Sequence, residues 1–204
     1  MKLAIIGATG MVGQALTAEA LQRGHEVTAA SRSGKPVEGA PAAVPLALEL
    51  GDAEAVQSLA AANDAIILAT GPSRTGGDHE VWLEENRTAL DAVGTTRVLA
   101  VGGAGSLLVD GVRLVDTPDF PEAYKAEALT AARFLDLLRS SRDDLDWTMQ
   151  SPAPVIAPGE RTGNVTLGLD SPVGESISTQ DFAVVLLDEV EQPKHHRQRF
   201  TAAN

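Results

Sequence analysis

Short apolar runs alternate with longer amphipathic stretches along this chain. Lys2 to Ile6 is an apolar run that stops at Gly7 and reads as a buried strand. Met11 to Arg23 carries Val12, Leu16 and Leu21 on one side of a helix, and Gly24 is placed to end it. His25 to Ala30 predicts a second strand. Ser31 to Pro41, rich in Ser, Gly and Pro, predicts a loop, and Val44 to Glu49 a third strand. Asp52 to Ala62 predicts a helix capped by its first residue, and Ala65 to Ala69 a strand buried on both faces. After a loop from Thr70 to Asp78, the pattern predicts a helix from His79 to Val93 and a fifth strand from Arg97 to Val101. Gly102-Gly103-Ala104-Gly105-Ser106 closes that strand, and Leu107 to Pro121 reads as irregular. A helix from Glu122 to Ser141 follows, with Leu129, Phe134, Leu137 and Leu138 inward, and then a sixth strand from Asp146 to Gln150. The rest mixes Pro and Gly loops with a short strand near Asn164 to Leu167, a helix near Thr179 to Val190 and a last strand near Arg199 to Thr201.

Strands alternating with helices imply a parallel sheet covered on both faces, the doubly wound Rossmann α/β fold. The 204 residues suit one domain, residues 1–204, in which about 152–204 form a small substrate-side portion. The longest apolar runs, such as Ala65 to Ala69, are far too short to cross a bilayer. The first strand starts at Lys2, which leaves no room for a signal peptide, so the expected location is cytoplasmic. The absence of cysteine excludes disulfides, thiolate metal sites and thiol catalysis. A net charge of -12 repels nucleic acid and anionic lipid, so neither is expected as a partner. The expected partner is a small molecule, and the oligomeric state stays open.

The chemistry starts at Gly7-Ala8-Thr9-Gly10-Met11-Val12-Gly13, where the first strand hands over to the first helix. Gly7 permits a tight turn, Gly10 lets the backbone approach a pyrophosphate, and Gly13 lets the helix pack hard on the strand. The first N–H groups of the helix then face the phosphates. The tip of the second strand reads the adenine ribose: an acid there selects NAD(H), an Arg accommodates the 2′-phosphate of NADP(H). Here the tip is Ser31-Arg32, without an acid, so NADP(H) is expected over NAD(H). Asp52 is a candidate for the adenine amino group, and capping alone would also explain it. Ala69, Thr70 and Gly71 are small residues against which ribose and phosphates can lie.

These residues resemble the atypical, single-domain branch of the short-chain dehydrogenase/reductase superfamily. That branch includes NADH–flavin reductase-like proteins, biliverdin reductase B and NmrA-like regulators. The marks are Gly-Ala-Thr-Gly at 7–10, Ser31-Arg32, Gly51-Asp52, Leu68-Ala69-Thr70 and Ser106 beyond the fifth strand. Ser151-Pro152-Ala153-Pro154 and Ile177-Ser178 followed by Asp181-Phe182-Ala183 complete the set. The likeness adds Pro152 to the expected cofactor contacts.

One departure redirects the chemistry. The superfamily's usual members carry a Tyr acid and a Lys four positions later. Here the sole tyrosine is Tyr124, and Ala128 stands four residues on. Lys125 projects about 100° away on a helix and is no substitute. A simple ketone needs a proton donor for its developing alkoxide, whereas a flavin, quinone or bilin-like acceptor delocalises the new charge. The expected activity is therefore NAD(P)H-dependent reduction of a conjugated acceptor, with a flavin as one candidate substrate. Ser106 is a candidate to hydrogen-bond the acceptor or the nicotinamide, or else caps a loop. Tyr124 either lines the acceptor site or is a half-buried helix residue. The alternative function is a non-catalytic NADP(H)-sensing regulator. No metal site is expected, since His195-His196 beside Lys194 and Arg197 read as a solvated turn. His79 either faces the cleft or is a surface group at a helix start, His25 reads as structural, and Trp82 and Trp147 as core or cleft wall.

Overall fold

The computed structural model describes residues 1–204. The chain order is β1 (Lys2–Ile6), α1 (Met11–Gln22), β2 (Glu26–Ser31), β3 (Val44–Ala47), α2 (Ala53–Ala61), β4 (Ala65–Leu68) and α3 (His79–Ala92). Then follow β5 (Arg97–Val101), the hairpin β6 (Leu108–Val109) and β7 (Val112–Arg113), α4 (Glu122–Arg139), β8 (Trp147–Ser151) and β9 (Val155–Ala157). The chain continues through β10 (Thr166–Gly168), β11 (Ser176–Ser178), α5 (Thr179–Glu191) and β12 (Gln198–Ala203). The main sheet has the order β10-β12-β8-β5-β4-β1-β2-β3. Every join in it is parallel except β10 on β12, so the expected parallel sheet carries one antiparallel edge strand. The segment expected to be irregular, Leu107 to Pro121, contains the β6–β7 hairpin, and β9 pairs with β11 in a second small ribbon.

Alternation along the strands sorts side chains to two faces. Leu3, Ile5, Val27, Ile67, Leu99 and Phe200 pack under α1 and α5. Ala4, Ile6, Ile66, Leu68, Val98 and Trp147 pack under α2, α3 and α4. Leu129 departs from expectation: it is only half-buried, and Thr130, Ala132 and Leu135 join Phe134, Leu137 and Leu138 on the inward side of α4. Helix α1 stops as its sequence dictates. Gly24 takes φ +80°, and the N–H groups of Gly24 and His25 close on the carbonyls of Leu21 and Ala20.

The amino ends of β5, β8 and β12 are held by a buried carboxylate. Glu189 accepts from the backbone N–H groups of Lys194 and His195, from the His195 ring and from Arg97. His195 is therefore not the solvated residue expected: its ring stacks on Phe200 with centroids 4.5 Å apart, while the neighbouring His196 is exposed. Burial alone would raise the Glu189 pKa, but the donors from His195, Lys194 and Arg97 outweigh it and hold the group below its ordinary 4.5. A depressed folded-state pKa contributes stability that is present above the unfolded value and lost as pH falls through the folded one. Glu189→Gln should therefore be less stable than wild type at pH 7. The gap should narrow as the pH drops below about 4.5, the ordinary value, in urea melts across the acid range.

Candidate functional site

The pairing order lines up the carboxyl ends of β8, β5, β4, β1 and β2 along one edge, where open α/β sheets bind ligands. The Gly-rich turn sits at the centre of that edge. Gly7 has φ +92°, and a Cβ there would stand 2.6 Å from the Ala69 carbonyl oxygen just past the neighbouring strand β4. A Cβ at Gly13 would fall 2.1 Å from the Gly7 oxygen. Gly10 is different: a Cβ there would meet only the Gly7 oxygen, at 3.3 Å. The fold itself demands Gly7 and Gly13, whereas the bare backbone at Gly10 faces outward. Ala8 is buried, Val12 is half-buried, and Thr9, Gly10 and Met11 are exposed.

Gly10 caps α1 without a side-chain acceptor, and the first helix-closing bond runs from the Gln14 N–H to the Gly10 carbonyl at 2.9 Å. The N–H groups of Met11, Val12 and Gly13 are left for an acceptor from outside, and no acidic side chain in the first turn competes for them.

At the tip of β2, Ser31 is buried and its hydroxyl has no hydrogen-bond partner. Its carbonyl accepts from Gly34 and Leu48 N–H, which turns the chain back and leaves Arg32 exposed. Eleven of the twelve arginines lie within 4 Å of a carboxylate; Arg32 is the exception. Asp52 spends one oxygen as the cap of α2, accepting from the Ala55 N–H at 3.1 Å. Ala69 and Thr70 are half-buried, Gly71 is exposed, and the Thr70 hydroxyl accepts from Trp82 Nε1 at 3.2 Å. Pro152, just past β8, is buried. The orphaned Ser31 hydroxyl, the open face of Gly10, the free N–H groups and the unpaired Arg32 all fit a bound dinucleotide.

The acceptor side departs from expectation. Tyr124 is neither half-buried nor enclosed: it is 58% exposed near the start of α4. Ser106 is buried, not presented at an open mouth. Its hydroxyl accepts from Arg199 Nη1 at 3.2 Å and lies 3.4 Å from the Gly103 carbonyl. At the position of the missing lysine, the methyl of Ala128 packs on the turn after β5, and a Cβ at Gly105 would stand 2.8 Å from it. Gly103 meets Ala131 in the same way, at 3.0 Å. A lysine at 128 would have to displace that turn or swing to solvent.

His79 is also more than a surface group. Its Nδ1 lies 2.8 Å from the Thr130 hydroxyl and its Nε2 donates to the Ser73 carbonyl at 2.8 Å. With the Arg74–Glu127 pair at 2.8 Å, it ties the loop after β4 to α4. Arg199 was not among the expected site residues. The signal available was a charged side chain inside the apolar last strand. A depression of about 500 Å³ lies at the opposite, amino end of β1 and β2, beside Lys2, Glu26 and Asp64, away from these groups. No helix is long and apolar enough to cross a membrane.

The chain matches the model of the NAD(P)H-binding family over residues 7–193. It is 38% identical to the uncharacterized protein YwnB of Bacillus subtilis (strain 168), with 100% of this chain and 99% of that protein covered. Among solved structures it resembles a candidate exported protein from Burkholderia pseudomallei, at TM-score 0.87 and 38% identity with both chains covered in full. It also resembles a candidate NADH-flavin reductase from Streptococcus pneumoniae TIGR4, at TM-score 0.85 and 37% identity, covering 100% of this chain and 99% of that one.

The three glycines should separate experimentally. Gly13→Ala forces a methyl into the Gly7 carbonyl and should cost stability at or above the upper end of the about 1–3 kcal/mol typical of overpacking. Gly10→Val should stay folded and lose dinucleotide binding. Urea melts and calorimetric titration with NADP+ check the pair, and a Gly10→Val protein that binds normally would show that nothing approaches Gly10.

Proposed function

The chain belongs to the NAD(P)H-binding family, and we propose that it is an oxidoreductase that uses NADPH to reduce a small conjugated acceptor such as a flavin or a quinone. The observation that carries the choice of acceptor is the Ala128–Gly105 contact, which occupies the place of the proton-relay lysine. With Tyr124 open to solvent and Ala128 four residues on, no tyrosine–lysine acid is poised for an alkoxide. A conjugated acceptor needs none, because it spreads the incoming charge and takes its proton from water. The likeness to a candidate NADH-flavin reductase points the same way.

The dinucleotide, when bound, supplies the hydride. The residues of this chain bind and orient it. The N–H groups of Met11, Val12 and Gly13 hold the pyrophosphate, and Ala69, Thr70, Gly71 and Pro152 border the ribose and nicotinamide half. Ser31 and Arg32 hold the 2′-phosphate, and the free second oxygen of Asp52 takes the adenine amino group. Arg32 favours NADPH over NADH because it is the one guanidinium with no internal carboxylate to compete for it.

A second reading draws on the same lack of a poised acid: a regulator that binds NADP(H) without turnover. Steady-state oxidation of NADPH with FMN or a quinone decides between them. Turnover is expected, and Tyr124→Phe should keep most of the rate. A loss of about a hundredfold or more, the scale of general acid catalysis, would restore a tyrosine acid. Binding without turnover by any acceptor would leave the regulator.

Arg32→Glu should weaken NADPH by roughly tenfold to a hundredfold, the about 1.5–3 kcal/mol of a charge-assisted contact, and leave NADH little changed. Calorimetric titration of both cofactors measures it, and equal losses for the two would remove Arg32 from the 2′-phosphate.

A further inference from the structure

Behind the turn that ends β5, on the α4 side of the sheet, lies a small cavity of about 80 Å³. Ser106, Arg113, Leu135, Asp136, Arg139 and Arg199 line it. Three guanidinium groups around one small space are unexpected in a chain with a net charge of -12. Their hydrogen bonds are not all spent.

Arg199 is the innermost. Its side chain is 2% exposed, its Nε donates to Asp170 Oδ1 at 2.9 Å, its Nη2 donates to the same oxygen, and its Nη1 donates to the Ser106 hydroxyl. A guanidinium has five N–H groups, so two remain. The Arg139 side chain makes no hydrogen bond. Its nearest carboxylate atoms are Asp136 Oδ1 at 3.6 Å and Asp170 Oδ1 at 3.9 Å. The Ser106 proton has only the long contact of 3.4 Å to the Gly103 carbonyl. Arg113 spends only its Nε, on Asp116 Oδ2 at 2.6 Å. The acceptors are fewer and poorly placed. Asp170 is 52% exposed and serves both Arg139 and Arg199 through one oxygen, and Asp136 is 65% exposed.

A purely structural ion-pair cluster closes its own donors and leaves no space among them. This one leaves donors and space together. The space suits a group with several acceptor oxygens and negative charge. At about 30 Å³ per liquid water, it holds two to three waters or one ion of phosphate or carboxylate size.

We propose that this cavity is a binding site for a small oxyanion, held by Arg139, by the free N–H groups of Arg199 and by the Ser106 hydroxyl. The oxyanion is either a free ion or the phosphate or carboxylate tail of a larger ligand. The site is distinct from the pyrophosphate turn and does not depend on the identity of the hydride acceptor.

The test uses the whole chain saturated with NADP+, so that the pyrophosphate turn is filled, with inorganic phosphate titrated against sodium chloride at constant ionic strength. The melting temperature should rise saturably with phosphate. Arg139→Gln touches a half-exposed side chain with no hydrogen bond, so its fold should be kept, and it should weaken phosphate by about tenfold, the scale of one charge-assisted bond. Asp136→Asn removes a competing carboxylate and should tighten it. Binding of FMN and riboflavin, followed by flavin fluorescence, separates the two sources. If the oxyanion is a ligand's tail, Arg139→Gln weakens FMN and spares riboflavin; if it is a free ion, both flavins are unchanged and only phosphate responds. Phosphate affinity that is the same in wild type and Arg139→Gln, with no difference between the flavins, overturns the proposal, as does the absence of any saturable effect.

Discussion

The contact between the Gly7 carbonyl and the backbone of Gly13 is the constraint on which the site depends. Helix α1 meets the end of β1 so closely that a single methyl at residue 13 would overlap the Gly7 oxygen, and Gly7 in turn lies against Ala69 just past β4. Only glycine allows this approach. The closeness points the amino end of α1 along the carboxyl edge of the sheet. Its first N–H groups are thereby fixed in place without a side-chain cap. A preorganised donor set of this kind attracts an anion without first paying to reorganise.

The rest of the molecule uses its arginines as internal struts. Arg23 and Arg161 meet on Glu19, which joins α1 to the segment after β9. Arg142 bonds to main-chain carbonyls at the end of α3, Arg197 to those just after α4, and Arg97 joins β5 to α5 through Glu189. In an acidic chain each guanidinium readily finds a carboxylate or carbonyl, so an arginine left alone, or one whose donors outnumber its acceptors, is informative. Arg32 is the first kind and the cavity beside Ser106 holds the second.

The packing of α4 decides which chemistry is open to the fold. Small residues meet small residues where Ala128 and Ala131 touch Gly105 and Gly103. This brings the helix down on the turn after β5 and ties Ser106 into contact with β12 through Arg199. A long basic side chain at 128 could keep this close approach only by turning away to solvent. This packing supports the proposal of a site that holds a cofactor without a tyrosine–lysine proton relay.

Periodicity along the chain was enough to place the helices and most strands, because each buries one face or both and the spacing of apolar residues records which. The Gly7–Gly13 turn and the Ser31-Arg32 tip were legible for a related reason: local backbone geometry and a missing acid are written in adjacent residues. The reversal of β10, the β6–β7 hairpin and the packing of His195 on Phe200 were not. Nor were the partners of Ser106, which lies 93 residues from Arg199, or of Glu19, which lies 142 from Arg161. Those pairings depend on which distant segments the sheet order brings together. A side chain's chemistry states what it can bind, but only the folded chain decides which partner reaches it first and which donors are left over.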